Sequence, residues 1–174
     1  MEKNTPFIVS VTGWSGSGKT TFCEKLISEL SKRGKKVAAA KNAHKNLRID
    51  KPGSDSDRYF NAGAESVCLN AENMTTVFFH ERIADGNGLY SLFPKADIII
   101  AEGFKADGAY RVEVTGMAES IQEMKNPAAE ADMIVYGNTH LRQKLAAGSG
   151  TAYSHTFIER NDISGAADII CAIT

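Results

Sequence analysis

The chain has 174 residues, 43% hydrophobic and 24% charged, which suits one globular domain with a sizeable core. Its 20 basic residues nearly balance 21 acidic ones, so it lacks the basic excess of a general nucleic-acid binder. No apolar run reaches the ~18 residues that span a bilayer. The three cysteines, Cys23, Cys68 and Cys171, have no metal-binding spacing and read as reduced thiols. The N-terminus lacks the apolar segment and cleavage site of a signal peptide, so the expected location is the cytoplasm, with neither membrane nor nucleic acid as partner.

In chain order, Phe7 to Val11 form a short apolar run that predicts a buried strand. Phe22, Leu26, Ile27 and Leu30 then recur at helical spacing, and Gly34 is a good stop. Lys36 to Lys41 enclose a second strand, which completes a strand–helix–strand unit of a parallel sheet. Residues 42–61 are polar and rich in turn formers, too long for a mere connector. Within them Asp57 to Asn61 read as a helix, with Asp55 as a plausible cap. Ser66 to Leu69 and Thr75 to Phe79 predict strands that either return to the sheet or pair with each other.

A short helix is expected around Gly88 to Leu92, before Asp97-Ile98-Ile99-Ile100-Ala101, whose continuous apolar character is that of a central parallel strand. Arg111 to Val114 and Met133 to Tyr136 read as further strands, and Asp162 to Ile173 as an amphipathic helix. With no repeats or linkers, residues 1–174 are expected to form a single α/β domain: three layers around a mainly parallel sheet.

Between the first strand and its helix stands Gly13-Trp14-Ser15-Gly16-Ser17-Gly18-Lys19-Thr20, the Gly-x-x-x-x-Gly-Lys-Thr phosphate loop. The chemistry explains the pattern. Glycines let successive backbone N–H groups converge on phosphate oxygens, and the helix that follows adds its positive end. Gly13, Ser15, Gly16, Ser17 and Gly18 form the cradle, Lys19 faces the β and γ phosphates, Thr20 ligates magnesium, and Thr21 reaches the α phosphate. Trp14 stands at a variable position of the loop and is expected to pack, with no part in the chemistry.

Magnesium requires an acidic partner on a neighbouring strand. Ligands bind at the carboxyl ends of parallel strands. Asp97 lies at the wrong end of its strand, roughly 15 Å away at ~3.3 Å per residue. Glu102 lies at the right end and is assigned to magnesium with Thr20, with water between the carboxylate and the ion. The same rule brings Lys41 and the loop after it towards the nucleotide. With Lys41 it carries His44, Lys45, Arg48, Asp50, Asp55, Ser56, Asp57 and Arg58, mixed charges suited to a second anionic substrate or to magnesium and the γ phosphate. A structural role for His44 is the plain alternative. Asn138 and Asn161-Asp162 could read a base edge, with capping as the plain reading of each.

Several blocks carry a resemblance. The phosphate loop is followed by Lys41-Asn42-Ala43-His44, Asp50-Lys51-Pro52-Gly53-Ser54-Asp55-Ser56, Ala62-Gly63-Ala64 and Ala101-Glu102-Gly103-Phe104-Lys105. In that order they resemble the molybdopterin-guanine dinucleotide biosynthesis protein B family (MobB), across roughly residues 6 to 115. The resemblance implies a GTP-binding accessory protein, a homodimer with weak GTPase activity. Its partner would be the enzyme that attaches GMP to molybdopterin. Lys19 and Glu102 would then serve the reaction, and Lys41, His44, Asp50, Asp55 and Ser56 would line the functional loop. The chain departs from the family pattern at Asn42 and Ser54, and residues 119–131 have no counterpart that can be matched.

The guanine-reading Asn-Lys-x-Asp motif is absent, so the choice of GTP over ATP rests on the resemblance. No residue evidently positions an attacking water, which fits slow hydrolysis. Arg48, Arg58 and Arg111 are the arginines available to act in trans, with surface ion pairing as their plain role. The rival reading is a P-loop small-molecule kinase that transfers the γ phosphate, although no arginine-rich lid is evident.

Overall fold

A computed structural model describes residues 5–43, 50–119, 121–147 and 156–174. The chain divides into two compact units, residues 43–84 and the remainder.

The larger unit is built on a six-stranded sheet in the order β2-β5-β1-β6-β7-β8, with every neighbouring pair parallel. Its strands are β1 (Phe7–Thr12), β2 (Val37–Lys41), β5 (Ile98–Glu102), β6 (Tyr110–Gly116), β7 (Met133–Tyr136) and β8 (Thr156–Glu159). Strands buried on both faces read as continuous apolar runs, and β5 and β7 show that most clearly. Helices α1 (Lys19–Lys32) and α5 (Ile163–Ala172) cover one face. There Phe22, Leu26 and Leu30 of α1 and Ala166, Ala167 and Ile170 of α5 pack on Val9, Val11, Ile98, Ile100, Val112, Val114 and Val135. Arg33, just past α1, ties the two helices together: it bonds Glu29 at 3.0 Å and Asp168 at 2.6 Å.

Side chains alternate along a strand, so Ile8, Ser10, Thr12, Glu113 and Ile134 belong to the opposite face. Around Ile134 that face is covered by Met124, Ala128, Ala131 and Leu141, the last from α4 (Thr139–Ala147). Together these form the expected three layers. Strand β8 and helix α4 were not evident in the sequence. Asp162 is the N-cap of α5 and accepts from the Gly165 amide at 2.9 Å, which is its plain reading. Asn138 likewise accepts from the His140 amide at 2.9 Å. A short 3₁₀ turn (Gly86–Gly88) leads into α3 (Leu89–Leu92) where the short helix is expected.

The smaller unit contains α2 (Asp55–Asn61) and a hairpin of β3 (Ser66–Asn70) and β4 (Thr75–Phe79). Of the two pairings open to these strands, they pair with each other. The cap of α2 is Ser54, which accepts from the Asp57 amide at 3.2 Å, and not Asp55, which lies within the first turn. Serine accepts an N2 or N3 amide as readily as aspartate does. Phe60 and His80 stack with ring centroids 3.9 Å apart. No helix among the described residues is long and apolar enough to cross a membrane.

Candidate functional site

Strand register builds the site. Val11 of β1 and Lys41 of β2 both pair with Glu102 of β5, so these residues meet at the carboxyl edge of the sheet. The chain leaves β1 through Gly13, Gly16 and Gly18, with φ of 141°, 79° and 94°, a left-handed path that favours glycine. At Gly13 a side chain would also strike the carbonyl of Val114. Gly18 is the N-cap of α1, with no capping side chain and no acidic residue in the first turn. The positive end of α1 is therefore left for an external anion.

Lys19 donates to the carbonyl of Trp14, in its own loop, at 2.6 Å. Burial lowers its pKa, and the charge of Glu102 partly offsets that effect. Lys19 is thus a cation held by a neutral carbonyl and partly stripped of water. The Ser17 hydroxyl is buried without a hydrogen-bond partner.

The Thr20 hydroxyl lies 3.3 and 3.2 Å from the two carboxylate oxygens of Glu102. Lys41 Nζ stands 3.1 Å from the same hydroxyl and 3.2 Å from Glu102 Oε1. The sequence-assigned trio Thr20, Glu102 and Lys41 is thus one cluster. Its hydroxyl and carboxylate are hard oxygen donors spaced as two ligands of a magnesium ion can be. The Lys41 ammonium is the positive charge that balances Glu102 here. No group of three or more His, Cys, Asp or Glu side chains among the described residues could hold a metal alone.

Asp97, excluded from the site by strand direction, instead accepts from the Lys36 amide at 2.7 Å at the amino edge of the sheet. Asp50, Asp55 and Ser56 lie in the smaller unit. There Asp50 accepts from the hydroxyls of Ser54 at 2.8 Å and Ser56 at 2.6 Å. Asp55 pairs with Arg58 at 3.6 Å on the surface, and Arg111 pairs with Asp132 at 3.4 Å, the plain role of both arginines. His44 and Arg48 fall outside the described residues.

Trp14 does not pack as expected. It is 56% exposed and donates its indole N–H to the carbonyl of Glu123 at 2.8 Å. The sequence reading also missed Glu113, which is 1% exposed on β6. Its carboxylate accepts from Thr12 at 2.6 Å, Asn126 at 2.8 Å and the Lys125 amide at 3.0 Å. The signal was an acidic residue inside the apolar run Tyr110 to Gly116, which is rarely buried without a purpose.

Comparison with known proteins identifies the family. The family described as molybdopterin guanine dinucleotide synthesis protein B matches residues 8–135. The molybdopterin-guanine dinucleotide biosynthesis adapter protein of Haemophilus influenzae is 32% identical over 166 residues, covering 94% of this chain and 86% of that one. The protein of the same name from Escherichia coli is 35% identical over 103 residues, 56% of this chain and 59% of that one. The crystal structure of Bacillus subtilis MobB superposes with a TM-score of 0.69, covering 95% of this chain and 96% of that chain. At 24% identity that likeness speaks for the fold alone.

Proposed function

The chain belongs to the molybdopterin guanine dinucleotide synthesis protein B family, and from that premise we propose that it is an adapter of molybdopterin-guanine dinucleotide biosynthesis that binds GTP with magnesium. The observation that carries the nucleotide part is the Thr20–Glu102–Lys41 cluster at the mouth of a glycine loop that opens α1.

In this reading the loop amides and Lys19 take the β and γ phosphates, and Lys19 exchanges the Trp14 carbonyl for an anion. Thr20 and Glu102 would hold magnesium, which neutralises charge on the phosphate oxygens when bound. Lys41 gives up part of its contact with Glu102 and turns to the γ phosphate. Hydrolysis is slow, because the two arginines described near their acids are already paired at Asp55 and Asp132. Its partner is the enzyme that joins GMP to molybdopterin. The protein acts as a homodimer, for which the exposed Val77 and Phe79 of the hairpin supply an apolar surface.

Lys19→Ala tests the site. Isothermal calorimetry should show GTP–magnesium binding in the parent protein and none in the variant, with the circular dichroism spectrum unchanged. Equal affinity in the two proteins would remove the site assignment. A phosphorylated small molecule among the products, in place of slowly released inorganic phosphate, would favour a kinase.

A further inference from the structure

A cavity of about 340 Å³ opens on the sheet face opposite α1, away from the Thr20–Glu102 cluster. That volume falls at the lower end of the ~300–1,000 Å³ of small-molecule sites. Thr12 and Glu113 line its floor, and Lys105, Asp107, Asn126 and Glu130 its walls.

Its chemistry is specific. Glu113 is a carboxylate inside the sheet, and a buried charge is costly unless hydrogen bonds replace its water. A carboxylate offers about four acceptor positions, of which Thr12, Asn126 and the Lys125 amide fill three. The fourth is left for the cavity. At the rim, the side chains of Glu130 and Lys105 have no hydrogen bond or ion pair among the described residues. Among the described residues the Asp107 carboxylate accepts from Asn87 alone, at 3.2 Å. Acceptors therefore outnumber donors. The acids do not converge as a metal cage would require. Four lining carboxylates, Asp85, Asp107, Glu113 and Glu130, face two cations, Lys105 and Arg111, the latter already paired with Asp132 at 3.4 Å, and this balance suits a rigid, flat molecule that presents N–H donors along one edge and a carbonyl beside them.

We propose that this cavity is a second small-molecule site, for a fused-ring heterocycle bearing a 2-amino-4-oxopyrimidine edge, the edge shared by pterins and guanine. The ring N–H and 2-amino group donate to carboxylates, and the 4-oxo group accepts from Lys105 or Asn126. The inference deepens the reading of the chain as an adapter in the synthesis of a pterin–guanine compound, and rests on it for the choice of heterocycle.

The site is also joined to the phosphate loop. Thr12, which bonds Glu113, directly precedes Gly13. Trp14 of the loop bonds the carbonyl of Glu123, two residues before the Lys125 amide that bonds Glu113.

The probes are pterin itself, guanosine, and lumazine, which has an oxo group in place of the 2-amino group. They are measured by calorimetry on the whole protein saturated with GTP–magnesium. Pterin is expected to bind, and lumazine to bind roughly 10- to 100-fold more weakly, the effect of losing a hydrogen bond to a charged group. Glu113→Gln and the surface variant Glu130→Gln should each weaken pterin, and the latter keeps the test valid if the buried change disturbs folding. Displacement of pterin by guanosine would identify guanine as a source of the edge. Pterin held against excess guanosine would identify the pterin, and either supports the site. No saturable pterin or guanosine binding, equal binding of lumazine, or indifference to Glu130→Gln would overturn it. Lys19→Ala, assayed without GTP, separates the two readings. Pterin binding without any GTP binding by the parent protein would sink the nucleotide assignment alone, and GTP binding without pterin would sink this site alone.

Discussion

The two units of the chain are held by different means. In the larger, six parallel strands are sealed by α1 and α5, so Val9, Leu26, Ile98 and Ile100 are almost wholly out of water. In the smaller, Val67 is the one large apolar side chain fully buried among the described residues, and Tyr59, Leu69, Met74, Val77 and Phe79 are exposed. Its order comes from polar bonds close in sequence, such as Asp50 with Ser54 and Ser56, and from the Phe60–His80 stack. A two-stranded hairpin is marginal by itself in water. The contrast separates a scaffold with a sealed core from a small unit whose large apolar side chains are mostly exposed.

Cysteine labelling should show the contrast most strongly. Burial pushes the Cys23 thiol from 9.0 to about 12, which cuts its thiolate near neutral pH about a thousandfold. Cys68 is exposed on β3. A maleimide should modify Cys68 within minutes and Cys23 only on global unfolding, as read by mass spectrometry of peptides. Comparable rates would mean that the scaffold opens locally around α1.

Truncation in the two units comes next. Leu26→Ala should cost about 2–5 kcal/mol in urea unfolding, for lost burial and the cavity left behind. Val77→Ala should change stability by only about 0.5 kcal/mol, because the side chain is already half in water. Phe79→Glu, just as exposed, should leave stability near the parent value yet shift the proposed homodimer to monomer in light scattering. A dimer unaffected by Phe79→Glu would remove the hairpin as its interface.

How much of this was legible in the sequence follows the same division. Strands β1, β5 and β7 announce themselves because burial on both faces forces unbroken apolar runs, and strand direction alone separated Glu102 from Asp97. Strand β8 did not, since Thr156 to Glu159 is a half-exposed edge of only four residues with one buried side chain, Ile158. Helix α4 escaped because Thr139 to Ala147 is largely polar, and Leu141 is its one described side chain buried against the sheet. In the site, glycine spacing and the Lys-Thr pair identify the phosphate loop. Glu113 is different: its role depends on Thr12 and Asn126, which only folding brings to it.

The smallest effect is one of pH, and it tests whether the scaffold holds Lys19 as described. Burial lowers the pKa of Lys19 in the free protein. A bound triphosphate would raise it again, since a nearby anion favours the charged form. GTP affinity should therefore be full while Lys19 is protonated in both states. It should fall as pH rises through the lowered value of the free protein, and level off above the value in the complex. Phosphate protons are largely gone by about pH 8, so the decline on the alkaline side belongs to the lysine. Calorimetry in two buffers of different ionisation enthalpy should reveal proton uptake on binding in that window. Lys19→Arg should bind without uptake, because a guanidinium stays charged throughout. Uptake that persists in Lys19→Arg would assign the proton to another group and weaken the view of Lys19 as a cation held partly out of water for a phosphate.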